Sequence, residues 1–183
     1  GDAYGAGFVN NSFSGDAGGQ LVHRKVIRLA DDGVNLLGER PADEHGFEFA
    51  ASKDTWVRVV NFANAPDGCL HFCDMYREVI EHPWSIPETI KKLLDLNSGN
   101  DRGRIYRIAP DGFKPRKPPQ LGKASIAELV ATLAHKNAWH RETASRLLFQ
   151  RQDKSAVPML ESLIKKSSSA LGRLHALYAL DGL

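Results

Sequence analysis

Up to about residue 108, apolar and polar residues alternate in short runs, and from Ser125 onward the apolar residues recur at helical spacing. In the first part, residues 20–29, 34–39, 56–62 and 70–75 have strand character. Turn clusters separate them: Ser14-Gly15-Asp16-Ala17-Gly18-Gly19, Asp31-Asp32-Gly33 and Pro66-Asp67-Gly68. Arg104-Ile105-Tyr106-Arg107-Ile108 is a further strand with its basic residues on one face, followed by the turn Pro110-Asp111-Gly112. Turn signals at this spacing suggest an all-β sandwich, barrel or propeller.

About 25 residues separate the strand ending near Asp74 from the one starting at Gly103, longer than the usual connection inside a compact domain. Part of this excursion is expected to be helical. Ser85 and Glu88 have the capping-box spacing, Pro87 suits a first turn, and Ile86, Ile90, Leu93 and Leu94 share a face. Residues 109–123, rich in Pro and Lys, read as a semi-rigid linker. Beyond it Ser125 and Glu128 form a second capping box before a helix with Ile126, Leu129, Val130 and Leu133 on one face. Three more helices carry Ala144, Leu147 and Leu148, then Val157, Leu160 and Ile164, then Leu171, Leu174, Leu177 and Tyr178. The second and fourth match at an offset of 32, pairing Arg141 with Arg173, Ala144 with Ala176 and Leu148 with Leu180. Such a repeat of helix pairs lies in the period range of solenoids, which need several units to bury a continuous core.

Composition adds bounds. The 183 residues are 42% hydrophobic and 25% charged, as in a globular protein, and no apolar run is long enough to span a bilayer. Residues 1–100 carry a net charge of −6 and residues 101–183 one of +8, which supports two modules. The basic residues are scattered and lack interleaved aromatics, so no nucleic-acid partner is expected. The chain starts without a charged, apolar leader and stops inside a helical pattern, which reads as a segment of a longer protein.

Cys69 and Cys73 in an extended strand would lie roughly 13 Å apart, too far for a disulfide or for one tetrahedral zinc. Their spacing also lacks the Cys-x-x-Cys-His pattern of covalent haem, and no metal site is expected. The run from Asp74 through Met75, Tyr76, Arg77, Glu78, Val79, Ile80, Glu81 and His82 to Pro83 and Trp84 is the densest polar stretch. Its acids could serve as bases, Arg77 could hold a carboxylate and His82 could shuttle a proton. A buried ion-pair network anchoring the excursion is the competing reading. Trp56 and Trp139 suit core or interface anchors, and His135, His140 and His175 share no ligand pattern and are expected to be structural.

Three stretches carry a family resemblance. They are Trp56-Val57-Arg58-Val59-Val60-Asn61-Phe62-Ala63-Asn64-Ala65-Pro66-Asp67-Gly68, then Asp74 through Pro87, then Asp101-Arg102-Gly103-Arg104-Ile105-Tyr106-Arg107-Ile108. Together with Gly19-Gln20-Leu21-Val22-His23-Arg24 upstream, they resemble the PVC-type haem-binding, membrane-bound-dehydrogenase-like family. The pattern departs at Cys69-Leu70-His71-Phe72-Cys73, where family strands carry a tyrosine near position 71. The resemblance implies an exported, periplasmic protein. Residues 1–109 would be the C-terminal part of a β-propeller of the sugar-dehydrogenase type, 110–123 a linker and 124–183 the first HEAT-like helical repeats. It also implies pyrroloquinoline quinone in the intact propeller and haem c only in a domain outside this chain.

Two functions follow as expectations. In the first, the propeller oxidises a sugar or related alcohol and passes electrons to haem. Asp74 and His82 are then the catalytic pair, with Arg58, Asn61, Tyr76 and Arg77 binding substrate or cofactor. In the second, propeller and repeats form a non-catalytic scaffold for a glycan or a protein partner.

Overall fold

The computed structural model describes all 183 residues. Seven strands form two open antiparallel sheets, and the helices gather in the C-terminal part. In the first sheet β2 (Leu21–Leu29) is central. It pairs along one edge with β1 (Asn11–Asp16), Asn11 opposite Val26 and Asp16 opposite Leu21. Its other edge is shared by β3 (Leu36–Glu39), which pairs from Val26 to Leu29, and by β4 (Ala50–Ala51), which pairs at Leu21 and Val22. The turns form where the sequence places them. Asp16 Oδ1 accepts the Gly18 and Gly19 N–H groups, and Asp32 Oδ1 accepts those of Val34 and Asn35. Within the 14–19 cluster, however, Ser14, Gly15 and Asp16 belong to β1, a strand the alternation did not reveal.

The second sheet has the order β5 (Val59–Asn64), β6 (Leu70–Asp74), β7 (Arg104–Ile108). The two sheets meet at a small core of Val22, Val57 and Val59, flanked by Phe13, Phe49, Phe62, Phe72 and Tyr76. Gly15 permits this approach, since a Cβ there would stand 2.6 Å from the Val59 side chain.

The propeller expectation is overturned: neither sheet is a closed or radially repeated array. The cause is local. Residues 40–49 leave the ladder between β3 and β4 to bring Glu44 to Arg24, which is 7% exposed, so the second edge of β2 is split. The second sheet has three strands, with residues 75–103 forming an excursion between the paired β6 and β7. The solenoid expectation falls as well, since the chain holds two helix pairs and no longer stack.

The chain divides into two compact units. One comprises Gly5–Ala63 and His71–Ile108; the other comprises Gly1–Tyr4, Asn64–Leu70 and Ala109–Leu183. The helical unit therefore includes the β5–β6 turn, which the boundaries 1–109, 110–123 and 124–183 do not reflect. Within this unit the Pro-rich stretch is tethered, with Arg116 donating to both oxygens of Asp2 at 2.9 Å.

A four-residue helix, α1 (Glu88–Lys91), is all that forms of the helix expected in the excursion. The Ser85 cap is not made; Ser85 instead ends a 3-10 turn, Pro83–Ser85. The second capping box does form: Ser125 Oγ accepts the Glu128 N–H and Glu128 Oε2 accepts the Ser125 N–H, opening α2 (Ile126–Thr132). Three more helices follow: α3 (Ala138–Arg151), α4 (Val157–Lys166) and α5 (Ala170–Asp181). Their core is Leu129, Leu133, Ala144, Leu148, Leu160 and Ala176, all at most 1% exposed.

The offset of 32 has a physical basis. Asn137 caps α3 and Ser169 caps α5; four residues on, Arg141 donates to the His135 and Lys136 carbonyls and Arg173 to that of Ser167. Each arginine thus ties the loop that precedes its own helix, satisfying carbonyls that have no helical partner. One face is reversed from expectation. α5 buries Gly172, Ala176 and Ala179, while Leu171, Leu174, Leu177 and Tyr178 are 47–67% exposed. Small side chains let α5 sit close to Ala134, which is 3.0 Å from a Cβ placed on Gly172.

Truncating Leu148 to Ala removes a fully enclosed side chain and should destabilise the helical unit by about 2–5 kcal/mol. Urea unfolding followed by helical circular dichroism measures this; a change under about 1 kcal/mol would contradict the packing described.

Candidate functional site

The β5–β6 ladder continues beyond the strand ends. The Met75 N–H donates to the Arg58 carbonyl and the Arg77 N–H to that of Trp56, both at 3.0 Å, so residues 56–58 and 74–77 run side by side. Asp74 sits where they meet, 2% exposed. Its Oδ1 accepts the backbone N–H groups of Arg58 (2.7 Å) and Tyr76 (2.9 Å). Its Oδ2 accepts Nε and Nη2 of Arg104 on β7, at 3.1 and 2.8 Å. Four donors surround one carboxylate, which offsets its desolvation.

The neighbouring arginines are turned inward. Arg58, 8% exposed, donates from Nε to the Arg77 carbonyl, from Nη1 to that of Ala17 and from Nη2 to that of Glu78. Arg77 Nη1 reaches the carbonyls of Met75, Tyr76 and Gly99. These carbonyls come from the loop ends, where no strand partner is available. Gly99, at φ +85°, is required here, because a Cβ would collide with the Tyr76 carbonyl oxygen.

Tyr76 itself has φ +52°. Its ring lies 3.8 Å beneath the Arg104 guanidinium and 5.6 Å from the ring of Trp56. A hydrogen bond to Asp54, assisted by burial, pushes the Tyr76 hydroxyl above its ordinary pKa.

The structure thus brings Asp74, Arg58, Tyr76 and Arg77 together. His82 and Asn61 take no part. His82 lies outside on the excursion, where Nδ1 accepts the Trp84 N–H at 3.2 Å and caps the 3-10 turn. Asn61 is exposed on β5. Sequence reasoning missed Arg104 as the partner of Asp74; the one signal was its place on the polar face of an alternating strand. It also missed the Arg24–Glu44 pair (2.8 Å) and the Glu48 carboxylate, which accepts from Arg40 (2.7 Å) and pairs with His23 (2.7 Å). These hydrogen bonds, that of Arg40 first, hold the Glu48 carboxyl below the usual range.

A cavity of about 250 Å³ opens between the sheets, walled by Leu21, Val22, Val57, Val59, Phe72 and Tyr106. None of the six expected site residues lines it. Of its polar members, Gln20 donates to the Gly18 carbonyl and Ser52 Oγ accepts the Asp54 N–H. Cys69 is buried and Cys73 exposed, and no disulfide joins them. No group of three or more His, Cys, Asp or Glu has metal-binding proximity, and no helix is long and apolar enough to cross a membrane.

These features define a small mixed α/β protein with two open sheets, whose most buried charges frame a loop. Residues 1–112 match a family described as a domain of unknown function, DUF7133, and the chain belongs to that family. No curated protein matches the chain, and no solved structure matches it.

Replacing Asp74 with Asn turns two of its four accepted bonds into poor contacts and leaves Arg104 with only the Asp54 carboxylate, 3.9 Å away. The expected loss is about 2–3 kcal/mol, discounted from a fully buried pair because the Arg104 side chain is 37% exposed. Arg104→Gln, which strips the buried Asp74 Oδ2 of its charged donors, should cost about 2 kcal/mol or more. Urea titrations monitored by tryptophan fluorescence compare the two; equal, sub-kilocalorie losses would show that Asp74 is no anchor.

Proposed function

We propose that this chain is a non-catalytic binding scaffold whose excursion between β6 and β7 contacts a protein partner. One contrast carries the reading. The polar side chains that could perform chemistry are consumed by internal hydrogen bonds, whereas the apolar side chains of the same excursion face solvent. Trp84 is 91% exposed, Leu93 84% and Ile90 50%, and neither the 3-10 turn nor α1 has a buried residue. Local bonds still hold the segment in shape: Lys91 Nζ donates to the Pro83 carbonyl at 3.3 Å and pairs with Glu88. A preorganised, exposed Trp among aliphatic neighbours has the composition of an interface hot spot. The dehydrogenase reading, with its quinone, haem and export, draws on the family resemblance alone; in the expected catalytic set, His82 is the side chain left at the surface.

A photo-crosslinking amino acid at exposed position 89 tests the proposal in cells expressing the chain's natural context. The expected result is a discrete protein adduct that disappears with Trp84→Ser and Leu93→Ser together, while the same probe at Lys53 gives none. An adduct insensitive to both serines, or no adduct, would overturn it.

A further inference from the structure

The corner between α2 and α3 holds two histidines in face-to-face contact, ring centroids 4.0 Å apart and planes 22° from parallel. Their partners dictate their protonation. His135 Nδ1 accepts the Asn137 N–H at 3.0 Å, so that nitrogen keeps its lone pair. His140 Nε2 lies 2.9 Å from the Pro66 carbonyl oxygen, which can only accept, so that nitrogen carries the proton. Between them Asn137, 1% exposed, donates from Nδ2 to the Ala65 carbonyl at 2.7 Å and caps α3 through Oδ1. Two consecutive carbonyls of the β5–β6 turn are therefore held by this corner, within the helical unit.

The second helix pair shows what the corner looks like without histidine. At the offset of 32, Ser167 replaces His135 and its Oγ accepts the Ser169 N–H at 3.2 Å; Gly172 replaces His140. The cap and the arginine are kept, and the titratable pair occurs only at the corner that holds a turn.

We propose that His135, stacked on His140, is an acid-sensitive latch that docks the Ala65–Pro66 carbonyls when its ring is neutral and releases them when its Nδ1 takes up a proton. A proton on His135 Nδ1 opposes two donors, Nδ1–H and the Asn137 N–H, and breaks the bond that shapes the corner. Burial, then the charge of His140, keeps His135 below its ordinary pKa of 6.5. Facing it are Asp2, which favours protonation, and Arg116, which opposes it; these two are paired with each other. Asp67 lies in the held turn with Oδ1 accepting the Cys69 N–H, and Lys136 of the α2–α3 connection and Arg141 of α3 flank the corner. Because the docked state binds protons less readily than the released one, docking is complete above pH 6.5 and weakens as pH falls below it.

Nuclear magnetic resonance of the full chain tests this through the Asn137 side-chain amide, whose solvent exchange reports docking. The expected result is slow exchange at pH 7 and at least a tenfold excess over the intrinsic rate change by pH 5, with helical circular dichroism unchanged. His135→Ser with His140→Gln keeps an acceptor for Asn137 and a donor for Pro66, and this double variant should hold exchange slow across the range. Three outcomes overturn the latch: slow exchange at pH 5 in the unaltered chain, the same acid release in the double variant, or loss of helical signal in parallel with release.

Discussion

A single desolvated carboxylate organises the β unit. Asp74 is the point at which β5, β6 and β7 are tied together, because its four donors come from the start of β5, the residues after β6 and the side chain of Arg104. An ionised carboxyl out of water is tolerated only with such saturation, and once saturated it restricts the backbone around it. The left-handed Tyr76, the inward Arg58 and Arg77, and the need for Gly99 all follow from having the chain turn at that place. The excursion that leaves this frame is rigid at its roots and bare at its tip.

In the densest polar stretch Asp74 and Arg77 spend their polar atoms on internal bonds. Buried charge in a small unit with a core of three valines supplies the definition that apolar volume cannot. Arg24 with Glu44 does the same for the first sheet, drawing residues 40–49 out of the ladder and leaving β2 with a split edge.

Much of the secondary structure was legible in the sequence. Alternation located β2, β6 and β7, and the Ser125–Glu128 box and the helical spacing of apolar residues located the C-terminal helices, because those signals are local. The architecture was not legible, since whether strands close into a larger array depends on long-range pairs such as Arg24 with Glu44 that leave no periodic trace. The faces of the Trp84 excursion and of α5 were misread for a related reason. An apolar stripe predicts burial, but α5 packs by its Gly and Ala residues, and Ile90 and Leu93 find no partner within the chain. Of the candidate site, proximity of Asp74, Arg58, Tyr76 and Arg77 was readable from strand adjacency. Their inward orientation was not, as it is set by backbone carbonyls.

Native-state amide hydrogen exchange at Arg58 and Tyr76 tests the role of Asp74 most directly, since both amides bond to one buried oxygen. The account predicts that the two exchange together and only through global opening of the β unit, with protection close to that of the Val59 amide. Exchange of either at the rate of an open loop, with Val59 still protected, would contradict it.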